Sequence, residues 1–147
     1  MNLFVNNYER TLDEKGRIIL PSKVRENLNG VVYVTPSPLD KCLYLYPEEE
    51  WRLLSEKLRK LPTTTNKEAA MFVRKFFGRA AVCDIDKQGR VNIDKKHIEH
   101  AQIKKDVVLV GANTRLELWD SSVWNSLDNE MSDEELIAGI KHYELEF

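Results

Sequence analysis

The chain has 147 residues, of which 42% are hydrophobic and 31% are charged, and its formal net charge is −2. These proportions support a buried core in one ordinary domain or two very small ones, and they exclude wholesale disorder. No run of about 18 uncharged apolar residues and no basic segment leading into an apolar stretch occurs, so neither a membrane span nor a secretion signal is predicted. Two cysteines, Cys42 and Cys83, are too few for a disulfide scaffold, and we therefore expect a reducing, cytoplasmic compartment.

The charge is unevenly distributed along the chain. Residues 120–147 contain eight acids and one base, a net charge of −7, whereas residues 1–119 carry +5. A basic body with an acidic tail is compatible with a polyanionic partner, although the same asymmetry also occurs in proteins that have none.

An internal repeat organises the sequence. The segment LDEKGRIIL at 12–20 recurs as IDKQGRVNI at 85–93, an offset of 73 residues. At the same offset, LYLYPEEEW at 43–51 matches LELWDSSVW at 116–124. Two matches in one register indicate a duplicated structural unit, and such a duplication decides the fold class.

The same elements are predicted in the same order in both copies. A strand leads into the turn Asp-x-x-Gly-Arg and a second strand follows, and the Asp and Gly chemistry predicts a tight hairpin. A short helix and a second strand pair come next. The predicted ranges are, for the first copy, strands 7–12 and 17–20, helix 21–28 and strands 31–35 and 43–46, and for the second, strands 80–85 and 90–93, helix 94–101 and strands 107–110 and 116–119.

Three longer helices are also predicted. Pro47 and three glutamates form a first turn ahead of an apolar stripe that runs from Trp51 to Leu61. A linking helix begins at Asn66 and ends near Gly78, and a capping box at Ser132 begins a tail helix. We expect an α+β protein with four segments: a first repeat with its closing helix (1–61), a linking helix (62–78), a second repeat (79–127) and an acidic C-terminal helix (128–147).

The two turns present the most suggestive side chains. Glycine allows close approach of a backbone, and arginine can bind a guanine or a phosphate with two hydrogen bonds, so a pair of cationic hairpins resembles a β-ribbon that enters a major groove. The alternative is a solvent-facing turn whose Asp and Arg simply pair with each other. The candidate DNA-binding residues are Lys15, Gly16 and Arg17 in the first turn and Lys87, Gly89 and Arg90 in the second.

Other residues point to structural roles. A carboxylate repels phosphate, so Asp13 and Asp86 are expected to hold the turns. His97 and His100 lack a clear third ligand, and no metal site is expected. Cys83 lies in an apolar strand without a nearby Cys–His arrangement, and no catalytic motif occurs, so neither enzymatic activity nor a cofactor is predicted.

The quoted segments, together with Tyr8 and the stretch from Pro21 to Arg25, resemble the signature of the MraZ family over residues 3–127. The resemblance implies two AbrB-like swapped-hairpin repeats in a small barrel-like core with flanking helices. It also implies a transcriptional regulator associated with the nucleoid, forming a ring-shaped homo-oligomer that binds direct repeats in promoter DNA upstream of a division and cell-wall gene cluster. The Asp-x-x-x-Arg motifs of the family fall on Asp13/Arg17 and Asp86/Arg90.

Three departures from that signature stand out. Asn6 takes the place of a frequent glycine, Asp94 replaces a common proline, and 97–99 replaces a usual Leu-Arg element. We therefore expect the second repeat to bind DNA more weakly than the first or to serve mainly in assembly. The alternative to the whole interpretation is an oligomeric scaffold or interaction protein that does not bind DNA.

Overall fold

The computed structural model describes residues 3–127 and 129–144. Its strands are β1 (Asn7–Thr11), β2 (Arg17–Ile19), β3 (Val31–Pro36), β4 (Leu43–Tyr46), β5 (Ala81–Asp84), β6 (Arg90–Asn92), β7 (Asp106–Ala112) and β8 (Arg115–Asp120). Its α-helices are α1 (Ser22–Arg25), α2 (Glu48–Leu58), α3 (Lys67–Gly78), α4 (Lys95–His100), α5 (Ser121–Leu127) and α6 (Asp133–Ile140), and a 3-10 helix follows at Lys141–Tyr143. The mixed α+β class is therefore confirmed.

Six strands form one antiparallel sheet in the order β1-β7-β8-β4-β3-β5, and β2 and β6 form a separate two-stranded ribbon. The expected barrel-like core is wrong, because the large sheet is open. Its edge strands β1 and β5 each pair with one neighbour among the described residues, and nothing there joins the two edges. The AbrB-like character of the repeats stays a prediction.

The predicted local hairpins also differ from the structure. The strands that flank the first turn separate: β1 pairs with β7, and β2 pairs with β6. The second turn behaves in the same way, because β5 pairs with β3 while β6 joins β2. Both strands of each turn thus pair with strands from the other half of the chain, and the two halves interlock.

The second strand pair of each copy is confirmed. Strands β3 and β4 pair directly, as do β7 and β8, and β4 and β8 join the two pairs at the centre of the sheet. Leu43 lies opposite Leu118 there, and both side chains are fully buried. The main core forms around these strands and the inner face of the ribbon.

The longer helices begin near their predicted starts. The Asn66 side chain accepts a hydrogen bond from the Ala69 backbone N–H and caps α3, and Ser132 and Glu135 form the predicted capping box of α6. Helix α2 ends at Leu58, three residues before the predicted end of its stripe. Parts of two predicted segments lie outside the described residues: 128 and 145–147 of the acidic C-terminal segment, and 1–2 of the first repeat.

Helix α6 differs from the others because its residues are exposed up to Gly139. Within 3–127 and 129–144, no helix combines the length and apolar character needed to cross a membrane.

Candidate nucleic-acid interface

The first turn is organised around one carboxylate. Oδ1 of Asp13 accepts hydrogen bonds from the backbone N–H groups of Lys15 (2.9 Å) and Arg17 (2.8 Å), and Oδ2 accepts one from Nε of Arg17 at 2.7 Å. Asp13 therefore holds the loop and orients the arginine at once, the role expected of it from the sequence.

The second turn repeats this geometry. Asp86 accepts from the backbone N–H groups of Gln88 (3.0 Å) and Arg90 (2.8 Å) and from Nε of Arg90 (2.7 Å). One further bond runs from Nη2 of Arg90 to Oε1 of Gln88 at 3.1 Å. The duplication therefore extends to individual hydrogen bonds.

These bonds favour the ionised carboxylates. The backbone N–H of Arg17 lowers the pKa of Asp13 below its ordinary value, and the Arg17 side chain adds to the effect. The backbone N–H of Arg90 and then its side chain lower the pKa of Asp86 in the same way. Both turns thus keep their ion pairs throughout the neutral range.

The Asp–Arg pairing uses only part of each guanidinium. It uses Nε of each arginine and leaves the two terminal nitrogens of Arg17 without a hydrogen-bond partner among the described residues. The arginine side chains are 27% and 28% exposed. The pairing considered as an alternative is therefore present, but it orients the arginines and is compatible with DNA binding.

Both glycines of the turns are required by the backbone. Gly16 and Gly89 each have φ of +80°, a conformation that residues with a Cβ rarely adopt. Their surroundings belong to the opposite repeat: the Cβ position of Gly16 lies 3.4 Å from the Ile98 side chain in α4, and that of Gly89 lies 2.6 Å from Nη1 of Arg25 in α1. Each turn is thus supported by the short helix of the other repeat.

The ribbon β2–β6 connects the two turns. Arg17 lies opposite Asn92, Ile18 opposite Val91, and Ile19 opposite Arg90. Ile18 and Val91 are buried, whereas Ile19 is 52% exposed and Asn92 is also exposed. Because successive side chains of a strand point to opposite faces, the two arginines share the outer face of the ribbon with Ile19 and Asn92.

The ends of the ribbon are closed by the opposite turns. The backbone N–H of Ile93 donates to the Gly16 carbonyl at 2.7 Å, and that of Leu20 donates to the Gly89 carbonyl at 2.8 Å. The predicted residues of both turns are therefore brought to one structural unit. Lys15 and Lys87 are exposed at its two opposite ends.

Two basic residues at this unit were not predicted. Arg25 lies against Gly89, and its buried Nε has no hydrogen-bond partner within the described residues. Nε of Arg10 donates to the Ile19 carbonyl at 3.1 Å. The Arg25–Gly89 contact joins the two repeats and depends on the interlocked pairing, whereas the Arg10–Ile19 contact joins the two strands that flank the first turn.

Asn6 and Asp94, two of the departures from the signature, adopt backbone conformations that suit the glycine and the proline they replace. Asn6 has φ of 77° and so adopts the conformation for which a glycine is suited. Asp94 has φ of −62° and ψ of 142°, close to the −57° and 146° of Pro21 in the first copy. Asp94 lies beside the first turn, where it lines a cleft of about 550 Å³ with Lys15 and Gly16.

The histidines and cysteines have other surroundings. His97 is buried, and its Nε2 donates to the Arg79 carbonyl at 2.6 Å, which ties α4 to the end of α3. No group of three or more potential metal ligands occurs in the described part of the chain. Burial raises the pKa of the Cys42 thiol to about 12 and also raises that of Cys83, so both stay protonated.

The chain matches a family of known proteins along most of its length. The family described as "MraZ protein, putative antitoxin-like" matches twice, over residues 3–75 and 76–142. Proteins named "Transcriptional regulator MraZ" are similar to it: that of Clostridium tetani is 47% identical over 92% of this chain and 94% of its own, and that of Caldanaerobacter subterraneus subsp. tengcongensis is 41% identical over 97% and 100%. The protein of Carboxydothermus hydrogenoformans is 42% identical over 86% and 87%. With these matches and its two equivalent turns, the chain belongs to the MraZ family.

Proposed function

We propose that the chain is a non-enzymatic transcriptional regulator that binds double-stranded DNA through the ribbon β2–β6 and the two turns beside it. The observation that carries this proposal is the placement of Arg17 and Arg90 on one exposed face. The regulator names of the relatives support the same class of function.

The dimensions of the ribbon suit a major groove. Two paired strands lie about 5 Å apart, and the major groove of B-DNA is about 12 Å wide, so the ribbon fits with side chains projecting to the base edges. Arg17 and Arg90 would reach guanine or phosphate through their terminal nitrogens, and Lys15 and Lys87 would contact the flanking phosphates. Asp13 and Asp86 hold both arginines in position.

One ribbon alone contacts few phosphates, and each contact contributes modestly to affinity at physiological salt. We therefore propose that the chain acts as a ring-shaped homo-oligomer, whose subunits meet successive direct repeats about 10 base pairs apart. As the family resemblance implies, the target would be promoter DNA of a division and cell-wall gene cluster, in the cytoplasm at the nucleoid. Sedimentation at micromolar concentration should give a species several times the 17.1 kDa of one chain; a monomer would contradict the ring.

Alanine variants of the turn cations test the DNA proposal. Arg17→Ala should cost about 1–3 kcal/mol of binding per engaged subunit and relax base preference. Lys15→Ala should weaken binding to all DNA sequences alike and reduce the salt dependence of the affinity, since a phosphate contact releases counterions whatever the sequence. Exposed Arg52 and Lys57 on α2 provide matched controls for the loss of a charge.

The measurement is binding to duplexes selected from a random pool, across a salt titration, with the oligomeric state checked for every variant. If the parent protein binds no duplex, the scaffold alternative replaces this proposal. If Arg17→Ala and the Arg52→Ala control lose equal affinity, the binding surface lies elsewhere.

The expectation that the second turn binds more weakly rests on Asp94 and residues 97–99, but Asp94 and Ile98 both lie beside the first turn. The second turn instead has Arg25 against it. We therefore propose that Arg90→Ala costs at least as much affinity as Arg17→Ala in the same assay.

A further inference from the structure

The outer face of the ribbon combines matched and unmatched residues. At the 73-residue offset of the repeat, Arg17 corresponds to Arg90, whereas Ile19 corresponds to Asn92. The register makes these cross-strand pairs: Arg17 faces Asn92 at one end of the ribbon, and Arg90 faces Ile19 at the other. Both copies of the repeat thus have the arginine, but the two ends of the ribbon differ chemically.

Neither unmatched side chain is buried. Ile19 is 52% exposed although it is a large apolar residue, and its neighbour Ile18 is fully buried. Asn92 is exposed and its side-chain amide makes no hydrogen bond within the described residues. An exposed isoleucine and a free carboxamide on the face that carries the arginines are available to a ligand.

We propose that Ile19 and Asn92 read bases, and that their difference gives each subunit a directional DNA sequence. This inference rests on the proposed DNA-binding function. Ile19 provides an apolar contact for the C5-methyl group of thymine, and the Asn92 carboxamide can donate to N7 and accept from N6 of adenine. Arg17 and Arg90, which occupy equivalent positions in the two repeats, supply an arginine contact at both ends.

The supporting side chains strengthen the difference between the ends. Arg10 donates to the Ile19 carbonyl and Arg25 lies against Gly89, so two additional cations lie at the Ile19–Arg90 end. Their counterparts at the repeat offset are Cys83 and Ile98, which are uncharged. The Arg17–Asn92 end instead has an acid and a base, Asp94 and Lys95, in the adjoining cleft.

A directional reader favours a direct repeat over a palindrome. Each half of a palindrome presents the same bases in opposite orientations, which suits a face with equivalent ends. A face with one thymine-reading and one adenine-reading end binds an asymmetric box in one orientation. Successive subunits that share an orientation on the duplex would therefore select boxes that all point the same way.

The test makes the two ends equivalent. Ile19→Asn places the same residue at both ends, and Asn92→Ile does so with the other residue. Val82→Asn on β5 is the matched control, because Val82 is an exposed apolar strand residue (61%) that is not part of the ribbon. The full-length parent and each variant are used to select duplexes from a pool with about 20 randomised base pairs.

We expect the Ile19→Asn variant to lose the thymine preference and to bind the parent's best duplex roughly 5- to 100-fold more weakly than the parent does. Asn92→Ile should lose the adenine preference to a similar degree. Both variants should accept the box in either orientation and keep the parent's salt dependence, since neither changes a charge. Val82→Asn should behave like the parent.

The outcomes separate this inference from the function on which it rests. If the parent enriches a sequence and both ribbon variants enrich the same sequence in the same orientation, Ile19 and Asn92 do not read bases, and DNA binding by the arginines stands. If the parent binds no duplex at all, the proposed function and this inference fail together.

Discussion

At the scale of single residues, each aspartate of the turns has two partners, the loop backbone and an arginine. Asp13 accepts two backbone N–H groups and Nε of Arg17, and Asp86 does the same with its own turn. The arginine is therefore oriented before any ligand arrives, which lowers the conformational entropy lost on binding. This accounts for an aspartate in each turn without requiring that the aspartate contact DNA.

Asp13→Asn tests this role through pH. The pKa of Asp13 is lower in the folded than in the unfolded protein, so its stabilising contribution is complete above the unfolded value, near 4, and is lost as the pH falls through the folded pKa. We expect the variant to unfold at a lower temperature at pH 7, with the difference shrinking below about pH 4. Thermal unfolding from pH 2 to 8 measures this, with Asp40→Asn on an exposed loop as the control; a pH-independent difference would contradict the ion-pair role.

Gly89→Ala tests the contact between the turn and α1. The new Cβ would lie 2.6 Å from Nη1 of Arg25 at a φ of +80°, so both the backbone and the arginine must adjust. We expect a loss of about 1–2 kcal/mol in the free energy of unfolding, measured by denaturant titration. Gly78→Ala is the control, because no atom lies within 4 Å of its Cβ position; equal effects of the two changes would argue against this contact.

At the scale of elements, an aromatic stack holds α2 and α3 against the sheet. The Trp51 ring of α2 is stacked on Tyr33 of β3 and on Phe76 of α3, with ring centroids 5.3 and 5.6 Å apart and interplanar angles of 14° and 13°. The apolar stripe of α2 therefore covers the face of the sheet opposite the main core. Ile18 and Val91 of the ribbon pack into the main core and not into this cluster, so we expect the cluster to support the fold without shaping the proposed DNA-binding face.

Trp51→Ala should remove this stack and lower the free energy of unfolding by about 3 kcal/mol, as for other large-to-small substitutions at packed positions. Leu53→Ala on the same helix is the control, because Leu53 is 45% exposed. Denaturant titration followed by fluorescence and circular dichroism distinguishes the two. A Trp51 effect no larger than the Leu53 effect would mean that α2 is not anchored by the ring.

At the scale of the whole molecule, the acidic tail differs from the interlocked body. Helix α6 is capped by Ser132 and Glu135 but exposes Leu136 and Ile137, and its first turn holds three acids. Its own capping supports the helix where packing against the body does not. Negative charge near a DNA-binding body competes with phosphate for the same cations.

Deletion of residues from Asn129 onward should therefore leave a folded, oligomeric protein with equal or tighter DNA affinity, most clearly at low salt where charges are least screened. The measurement is binding to the parent's selected duplex at two salt concentrations, together with thermal unfolding. A variant with Asp133, Glu134 and Glu135 changed to Gln keeps the helix and isolates the charge. Loss of cooperative unfolding on deletion would show that the tail belongs to the core.

The parts of this protein that depend on neighbours along the chain could be predicted from its amino-acid sequence alone. The turns at Asp13 and Asp86, the strand pairs joined by short loops and the caps at Asn66 and Ser132 follow from local hydrogen bonding and backbone preference. The repeat also predicted that the turn and strand around residue 17 would have an equivalent around residue 90.

The pairing of strands across the repeats depends on contacts that form only in the folded protein. Alternating apolar side chains specify which face of a strand is buried, but several partner strands satisfy that pattern equally, so the pattern alone does not predict the separation of β1 from β2. From that exchange follow the shared outer face of Arg17 and Arg90, the contact of Arg25 with Gly89 and the place of Asp94 beside the first turn. These contacts join residues far apart in the chain, and their energies are realised only when both halves fold together.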